Sequence, residues 1–218
     1  MLAIDWLDAG RQLKILQNEG VNHLHWDISD GRFAPDFTLG PNIINRFRNA
    51  SNIPSDYHLM VEEPSRMFDT MAISPGDTFT IHQECCRNLH RDLITLRRKG
   101  ARVGVALCPS TPLSVLDYII EDVDYILIMT VNPGYADQQL LPQAINKIAE
   151  LRATIEKMEL DVRIGVDGNV KFETIPTMVA AGADVLIAGS SSLFRDDMPL
   201  EDALKRLHES IAEGLLQA

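Results

Sequence analysis

VNHLHWDISDGRF, residues 21–33, decides how this chain is read. Its first eight residues form an apolar run of strand length, yet His23, His25 and Asp27 recur in it at every second position. Side chains two apart on a strand share a face, so His25 and Asp27 point one way and Trp26 the other. Charge taken out of water is costly unless it is paired or bound to a metal. The strand therefore calls for partners elsewhere in the chain.

Working outward, the same kind of run recurs: SDYHLM (55–60), DTFTIH (77–82), ARVGVAL (101–107), VDYILIMTV (123–131), VRIGVD (162–167) and ADVLIAG (183–189). Between them lie helical patterns at 7–20, 89–100, 140–157 and 173–183, several ending in Gly just before the next strand. A glycine there is a helix C-cap leading into a short loop. Continuous apolar strands alternating with helices indicate a parallel sheet covered by helices on its faces. Seven clear strands, with MLAI at the start as a short eighth, predict a (β/α)8 TIM barrel of the α/β class. With no linker or composition shift, residues 1–218 read as a single barrel domain. The runner-up, an open doubly wound sheet, lacks a GxGxxG after its first strand.

The composition narrows the function. A net charge of −11 offers no basic stripe for nucleic acid. No apolar run approaches the roughly 20 residues of a membrane span, and no signal peptide opens the chain. Cys85, Cys86 and Cys108 lack metal or redox spacing, and their odd count argues against a disulfide framework. A cytoplasmic protein is expected.

In such a barrel the active site lies at the C-terminal ends of the strands. His25 and Asp27 end the second expected strand, His58 the third and Asp167 the seventh. Two imidazoles and two carboxylates at one mouth suit one divalent cation, Zn²⁺, Fe²⁺, Co²⁺ or Mn²⁺. The plainer alternative is a polar network satisfied internally. His23 sits deeper, which points to a core role, and His90 and His208 fall in helical stretches at the surface. VDGNV (166–170) and the Gly189-Ser190 turn of VLIAGSSSLF (185–194), with a short helix expected after it, occupy the two loops that hold phosphate in this architecture.

Together these blocks resemble the ribulose-phosphate 3-epimerase family, including its relative that acts on allulose 6-phosphate. The resemblance runs from Leu2 to about Phe194, through LHWDISDGRFAPDFTLGP, DYHLMVEEP, VGVALCPSTPL, ILIMTVNPGY, IGVDGNV and AGADVLIAGSSSLF. It implies His25, Asp27, His58 and Asp167 as metal ligands, with Asp27 and Asp167 also the acid–base pair. Met60, Met129 and Gly134 of the VNPGY loop are implied as substrate-binding residues, with Gly168, Gly189 and Ser190 on the phosphate. A homo-oligomer and a sugar-phosphate substrate follow by the same resemblance.

The chain departs from the family's pattern in four places. The x-P-S-I-L first strand, whose serine touches substrate, is largely absent, so either Met1 is an internal methionine or the barrel works with a clipped first strand. Ser29 replaces a pocket methionine, Asn169 a glycine of VDGG, and YADQQ (135–139) a glycine-rich loop. The expected reaction is C3 epimerisation of a ketose phosphate, by two carboxylates acting through an enediolate. A barrel that binds metal or sugar phosphate with weak catalysis is the alternative. The decarboxylase or aldolase branch of phosphate-binding barrels needs D-x-K-x-x-D, and Asp27-Ile28-Ser29-Asp30 lacks the lysine.

Overall fold

The computed structural model describes residues 1–134 and 138–218. Among them run seven parallel strands: β1 (Leu24–Ser29), β2 (Ser55–Met60), β3 (Thr78–His82), β4 (Arg102–Leu107), β5 (Tyr125–Met129), β6 (Arg163–Asp167) and β7 (Val185–Leu186). Helices α1 (Ala9–Asn18), α2 (Pro41–Arg48), α3 (Leu89–Arg98), α4 (Pro142–Lys157), α5 (Ile175–Ala180) and α6 (Leu200–Leu215) alternate with them. Each strand is bonded to its predecessor in sequence order. A doubly wound sheet reverses its order at a switch point; this sheet does not, and the architecture is a TIM barrel.

Two local expectations are corrected. MLAI is not a strand: Asp5 N–H donates to Gln12 Oε1 (3.0 Å) and Leu7 N–H to Asp5 Oδ1 (2.9 Å), turning the chain directly into α1. The Met1 amino group touches the β1 edge through the His25 carbonyl (2.7 Å) without forming a ladder. The short helix expected after Gly189 is a turn, in which the amides of Ser192, Leu193 and Phe194 all donate to the Gly189 carbonyl. Serine is a weaker helix former than alanine or leucine, and three follow in a row here.

The glycine helix ends behave as expected. At Gly100, φ is +94°, and the Ala101 amide reaches back to the Leu96 carbonyl (3.3 Å). The same bond recurs at Val21 and Ala183, closing α1 and α5.

Alternation along the strands sorts the core into two parts. Trp26, Tyr57, Leu59, Phe79, Ile81, Ile126 and Ile164 belong to the cluster packed with the helices, where each fully buried side chain contributes roughly 2 kcal/mol. The opposite parity fills the barrel. On β4–β7 it is mainly apolar, with Ala106, Tyr125, Leu127 and Met129 and, packed on them, Val185 and Ile187; Asp167, at the end of β6 opposite Met129, is the exception at the mouth. On β1–β3 it is polar: His25, Asp56, His58, Thr80 and His82 are buried, and Asp27 is half-buried. That lopsided interior gives up apolar burial on one side and gathers three of the four candidate ligands there, Asp167 reaching them from β6.

The face opposite the mouth is held by a repeated device. Asp77, just before β3, accepts from the Ser55 amide at the start of β2 (2.9 Å) and pairs with Arg48 of α2 (2.9 Å). Asp124, before β5, does the same with the Val103 amide of β4 (2.8 Å) and Arg97 of α3 (3.1 Å). Asp184, before β7, repeats it with the Ile164 amide of β6 (2.8 Å) and Arg152 of α4. Only the first of the three is fully buried, with Asp77 at 2% exposure. Asp77→Ala strands the Ser55 and Ser74 amides and takes the carboxylate from the Arg48 guanidinium, which keeps its bonds to Tyr57, Ala72 and Ser74. It is expected to cost about 2 kcal/mol in urea unfolding and leave the mouth unchanged; a loss below half of that counts against the clamp.

Candidate active site and metal centre

β1 and β2 pair in the register His25↔Asp56, Asp27↔His58 and Ser29↔Met60, and β5 and β6 pair Met129 with Asp167. Parity and register together bring the candidate ligands to one point. His25 Nε2 lies 3.3 Å from Asp27 Oδ1, and His58 Nδ1 lies 3.2 Å from the same oxygen and 3.5 Å from Asp167 Oδ2. One ligand atom from each of the four residues lies within 4.8 Å of all the others, a grouping able to hold a metal ion.

The electrostatics fit a cation. Burial opposes charge on His25, but Asp27 and Asp56 outweigh it and lift its pKa to about 10. Burial likewise opposes charge on His58, and hydrogen bonds to Asp167 and Asp27 reverse the direction and raise its pKa. Asp27 would be pushed up by burial, yet His25 and His58 hold it well below the usual carboxylate range. The two carboxylates thus favour positive charge between them, the same field that would draw a cation.

The outer nitrogen of each histidine is engaged. His25 Nδ1 meets Asp56 Oδ2 at 2.8 Å. His58 Nε2 meets His82 Nε2 at 2.9 Å, and His82 Nδ1 meets Glu84 Oε2 at 3.1 Å. Metal-bound histidines are held in this way by carboxylates or other acceptors behind them. Sequence reading missed Asp56, His82 and Glu84. The signal was present: His82 ends DTFTIH as His58 nearly ends SDYHLM, and Glu84 follows two residues later.

Above the cluster opens a cavity of about 390 Å³. His25, Asp27 and Asp167 line its floor; Met60, Met129, Gly134, Gly168, Gly189 and Ser190 line its walls. His58 is completely buried beneath it. Gly134 and Gly168 are there for close approach. At Gly134 (φ +93°) a Cβ would fall 2.6 Å from Pro35 Cδ, joining the loops after β5 and β1; at Gly168 (φ +104°) it would fall 2.4 Å from Val131 Cγ2. Asn169 sits at φ +50°, a region asparagine tolerates, and its amide donates to the Gln138 carbonyl (2.6 Å). Ser29 turns its hydroxyl toward Thr38 Oγ1 (3.2 Å), which donates to the Asp27 carbonyl (2.6 Å), so the wall expected to carry methionine is polar.

Other expectations resolve simply. His23 is half-buried outside the core, and burial lowers its pKa. His90 and His208 are exposed, and all three cysteines are free. Tyr135, Ala136 and Asp137 of YADQQ lie outside the described residues. Among the described residues no helix is long and apolar enough to cross a membrane. A shallow depression of about 440 Å³ sets Arg32, Arg66 and Arg87 among Asp30, Glu62 and Glu63; its charges pair with one another, and no candidate residue lies in it.

Comparison with known proteins points to one family. The sequence model of the ribulose-phosphate 3 epimerase family matches residues 1–194. The ribulose-phosphate 3-epimerase of Bacillus subtilis (strain 168) is 37% identical over 198 residues, covering 90% of this chain and 91% of that protein. The enzyme of the same name from Escherichia coli (strain K12) is 34% identical over 198 residues, 90% and 88% of the two chains. Among solved structures, 3-hexulose-6-phosphate synthase from Salmonella typhimurium superposes with a TM-score of 0.58 at 19% identity, covering 96% of this chain and 95% of that one. A tryptophan synthase α-subunit from Pyrococcus furiosus gives 0.59 at 15% identity, covering 95% and 92%. These two likenesses are of fold.

Proposed function

The chain belongs to the ribulose-phosphate 3 epimerase family, and on that premise we propose that it is an isomerase inverting C3 of a ketose phosphate. One observation carries the reading: carboxylates from β1 and β6, Asp27 and Asp167, meet His25 and His58 on the floor of one cavity. Epimerisation removes the proton on C3, next to the C2 carbonyl, and returns one to the opposite face. Asp27 and Asp167 are assigned as the two proton carriers. The ionised one takes the C3 proton and the C–H electrons move into an enediolate. The other, in its acid form, gives its proton to the far face of C3, so the two carboxyls exchange protonation states each turnover.

His25, Asp27, His58 and Asp167 would hold one divalent ion, and the donor set and its buried, oriented histidines fit one. When bound, the ion supplies Lewis-acid stabilisation of the negative charge that develops on the substrate oxygens. Met60 and Met129 offer an apolar wall with no competing proton donor. Gly168, Gly189 and Ser190 are assigned to the phosphate. A single barrel domain over residues 1–218, a cytoplasmic location and a homo-oligomer belong to the same reading.

The test is deuterium uptake at C3 in D₂O, followed by NMR, with ribulose 5-phosphate and allulose 6-phosphate offered separately. Uptake with one sugar, abolished by a chelator and restored by Zn²⁺, Fe²⁺, Co²⁺ or Mn²⁺, is the expected result and identifies both the substrate class and the ion. Metal-dependent binding of both sugars without uptake would favour the weakly catalytic binding barrel.

A further inference from the structure

The two histidines of the cluster are backed differently. Behind His25 stands a carboxylate, Asp56, which also accepts from Thr80 Oγ1 (3.4 Å). Behind His58 stands a second imidazole, His82, completely buried and covered by the Phe33 ring (centroids 4.6 Å apart). A nitrogen–nitrogen contact of 2.9 Å holds one proton, and either ring could carry it.

Glu84 decides which. Its Oε1 accepts from the Cys108 amide (2.8 Å) and from the Thr111 hydroxyl, and its Oε2 faces His82 Nδ1 (3.1 Å). The loop bearing those two donors is itself held: Lys147 of α4 donates to the carbonyls of Cys108 (3.0 Å), Pro109 (2.6 Å) and Thr111 (2.7 Å). An ionised carboxylate only accepts, so His82 presents Nδ1–H to it and keeps a lone pair on Nε2. That lone pair accepts Nε2–H of His58. The one nitrogen His58 can then free is Nδ1, the atom directed at Asp27 and Asp167.

We infer that His82 and Glu84 are positioning residues: a relay from Glu84 through His82 holds the His58 proton on Nε2 and turns Nδ1 to the metal. The inference rests on the reading of His58 as a ligand and adds to it two residues that touch neither substrate nor ion. Replacing Glu84 by Gln places a donor where only acceptors serve. With its NH₂ toward His82, the carboxamide favours the opposite tautomer and sends the His58 lone pair away from the site.

The test has two arms on the full chain. Two-bond ¹H–¹⁵N spectra at neutral pH read the His82 tautomer with or without metal. The proton is expected on Nδ1 in the parent protein and displaced toward Nε2 in Glu84→Gln. Titration with Zn²⁺ is expected to show affinity reduced about 10–100-fold in Glu84→Gln, as for other outer partners of metal-bound histidine. His82→Gln, whose carboxamide oxygen reaches the place of Nε2 and can still accept from His58, should lose less affinity than Glu84→Gln. A parent protein with the His82 proton on Nε2 overturns the relay, as does Zn²⁺ affinity unchanged in Glu84→Gln. Cys108 Sγ also lies 3.7 Å from His82 Nδ1, and with His82 and Glu84 it forms a second group of donors able to hold an ion. A second Zn²⁺ equivalent lost in Cys108→Ser would likewise overturn the relay, because an ion on His82 Nδ1 would occupy the site of the relayed proton. Failure of the metal reading looks different: no Zn²⁺ bound, with His82 still protonated on Nδ1.

Discussion

Asp167→Asn is expected to lower conversion between the two C3 epimers by about 10³-fold, within the range that one positioned acid or base contributes. The carboxamide keeps the shape of the side chain and an oxygen that can still face an ion, so substrate binding should persist. The more telling outcome concerns direction. Epimerisation needs both carboxylates, whereas washing a proton out and back on one face needs one. With Asp27 intact, deuterium should still enter C3 of the epimer whose C–H faces Asp27, without inversion, while the other epimer falls silent. Asp27→Asn should give the mirror image. NMR in D₂O starting from each epimer separates these cases. Undiminished conversion in Asp167→Asn removes the residue from the proton pathway; equal loss of wash-in from both epimers leaves it a ligand and no more.

Gly165→Ala is expected to give the largest stability loss, more than about 3 kcal/mol, beyond the usual cost of overpacking. A Cβ at Gly165 would lie 1.8 Å from the Tyr125 hydroxyl oxygen and 2.3 Å from its Cζ. Neither group can retreat: Gly165 is in the ladder with Leu127 and Val185, and the ring also presses on Gly104, where a Cβ would lie 2.8 Å from Cδ1. The Tyr125 hydroxyl is buried with no hydrogen-bond partner among the described residues. Its value is therefore volume, and the two glycines make room for the ring. Combining Gly165→Ala with Tyr125→Leu should recover at least half of the loss, since the added methyl then meets space. Urea unfolding of the two single variants and the double one gives the coupling; simple additivity would show the clash to be absorbed elsewhere.

Much of this was legible in the sequence, for a definite reason. Strands buried on both faces read as continuous apolar runs, so β2 appears at the predicted residues, 55–60, and polar residues at every second position announce what enters the barrel. His25, Asp27 and His58 betray themselves by parity alone. Where the reading failed, the deciding contact was not local. MLAI is apolar enough for a strand, but the Asp5 and Gln12 side chains turn it first. ADVLIAG shortens to Val185–Leu186 because the described ladder supplies β7 with one neighbour, β6. His82 looks like any strand-end histidine until β2 and β3 lie side by side with His58 between it and the carboxylates. Ser29 and Asn169, read as departures, are each accommodated by a hydrogen bond to another loop, with Thr38 and Gln138.

The three aspartate–arginine clamps join β2 to β3, β4 to β5 and β6 to β7, each reaching back to the helix that leads into the pair. None of them crosses from β3 to β4 or from β5 to β6. The clamps therefore mark where the chain is expected to tolerate a cut: a break in the backbone beyond β3, near Arg87, leaves every clamp whole within one fragment or the other, whereas a break between Met60 and Asp77 parts Asp77 from Ser55 and Arg48. Seams of this kind are where two halves of such a protein can be separated, exchanged and rejoined.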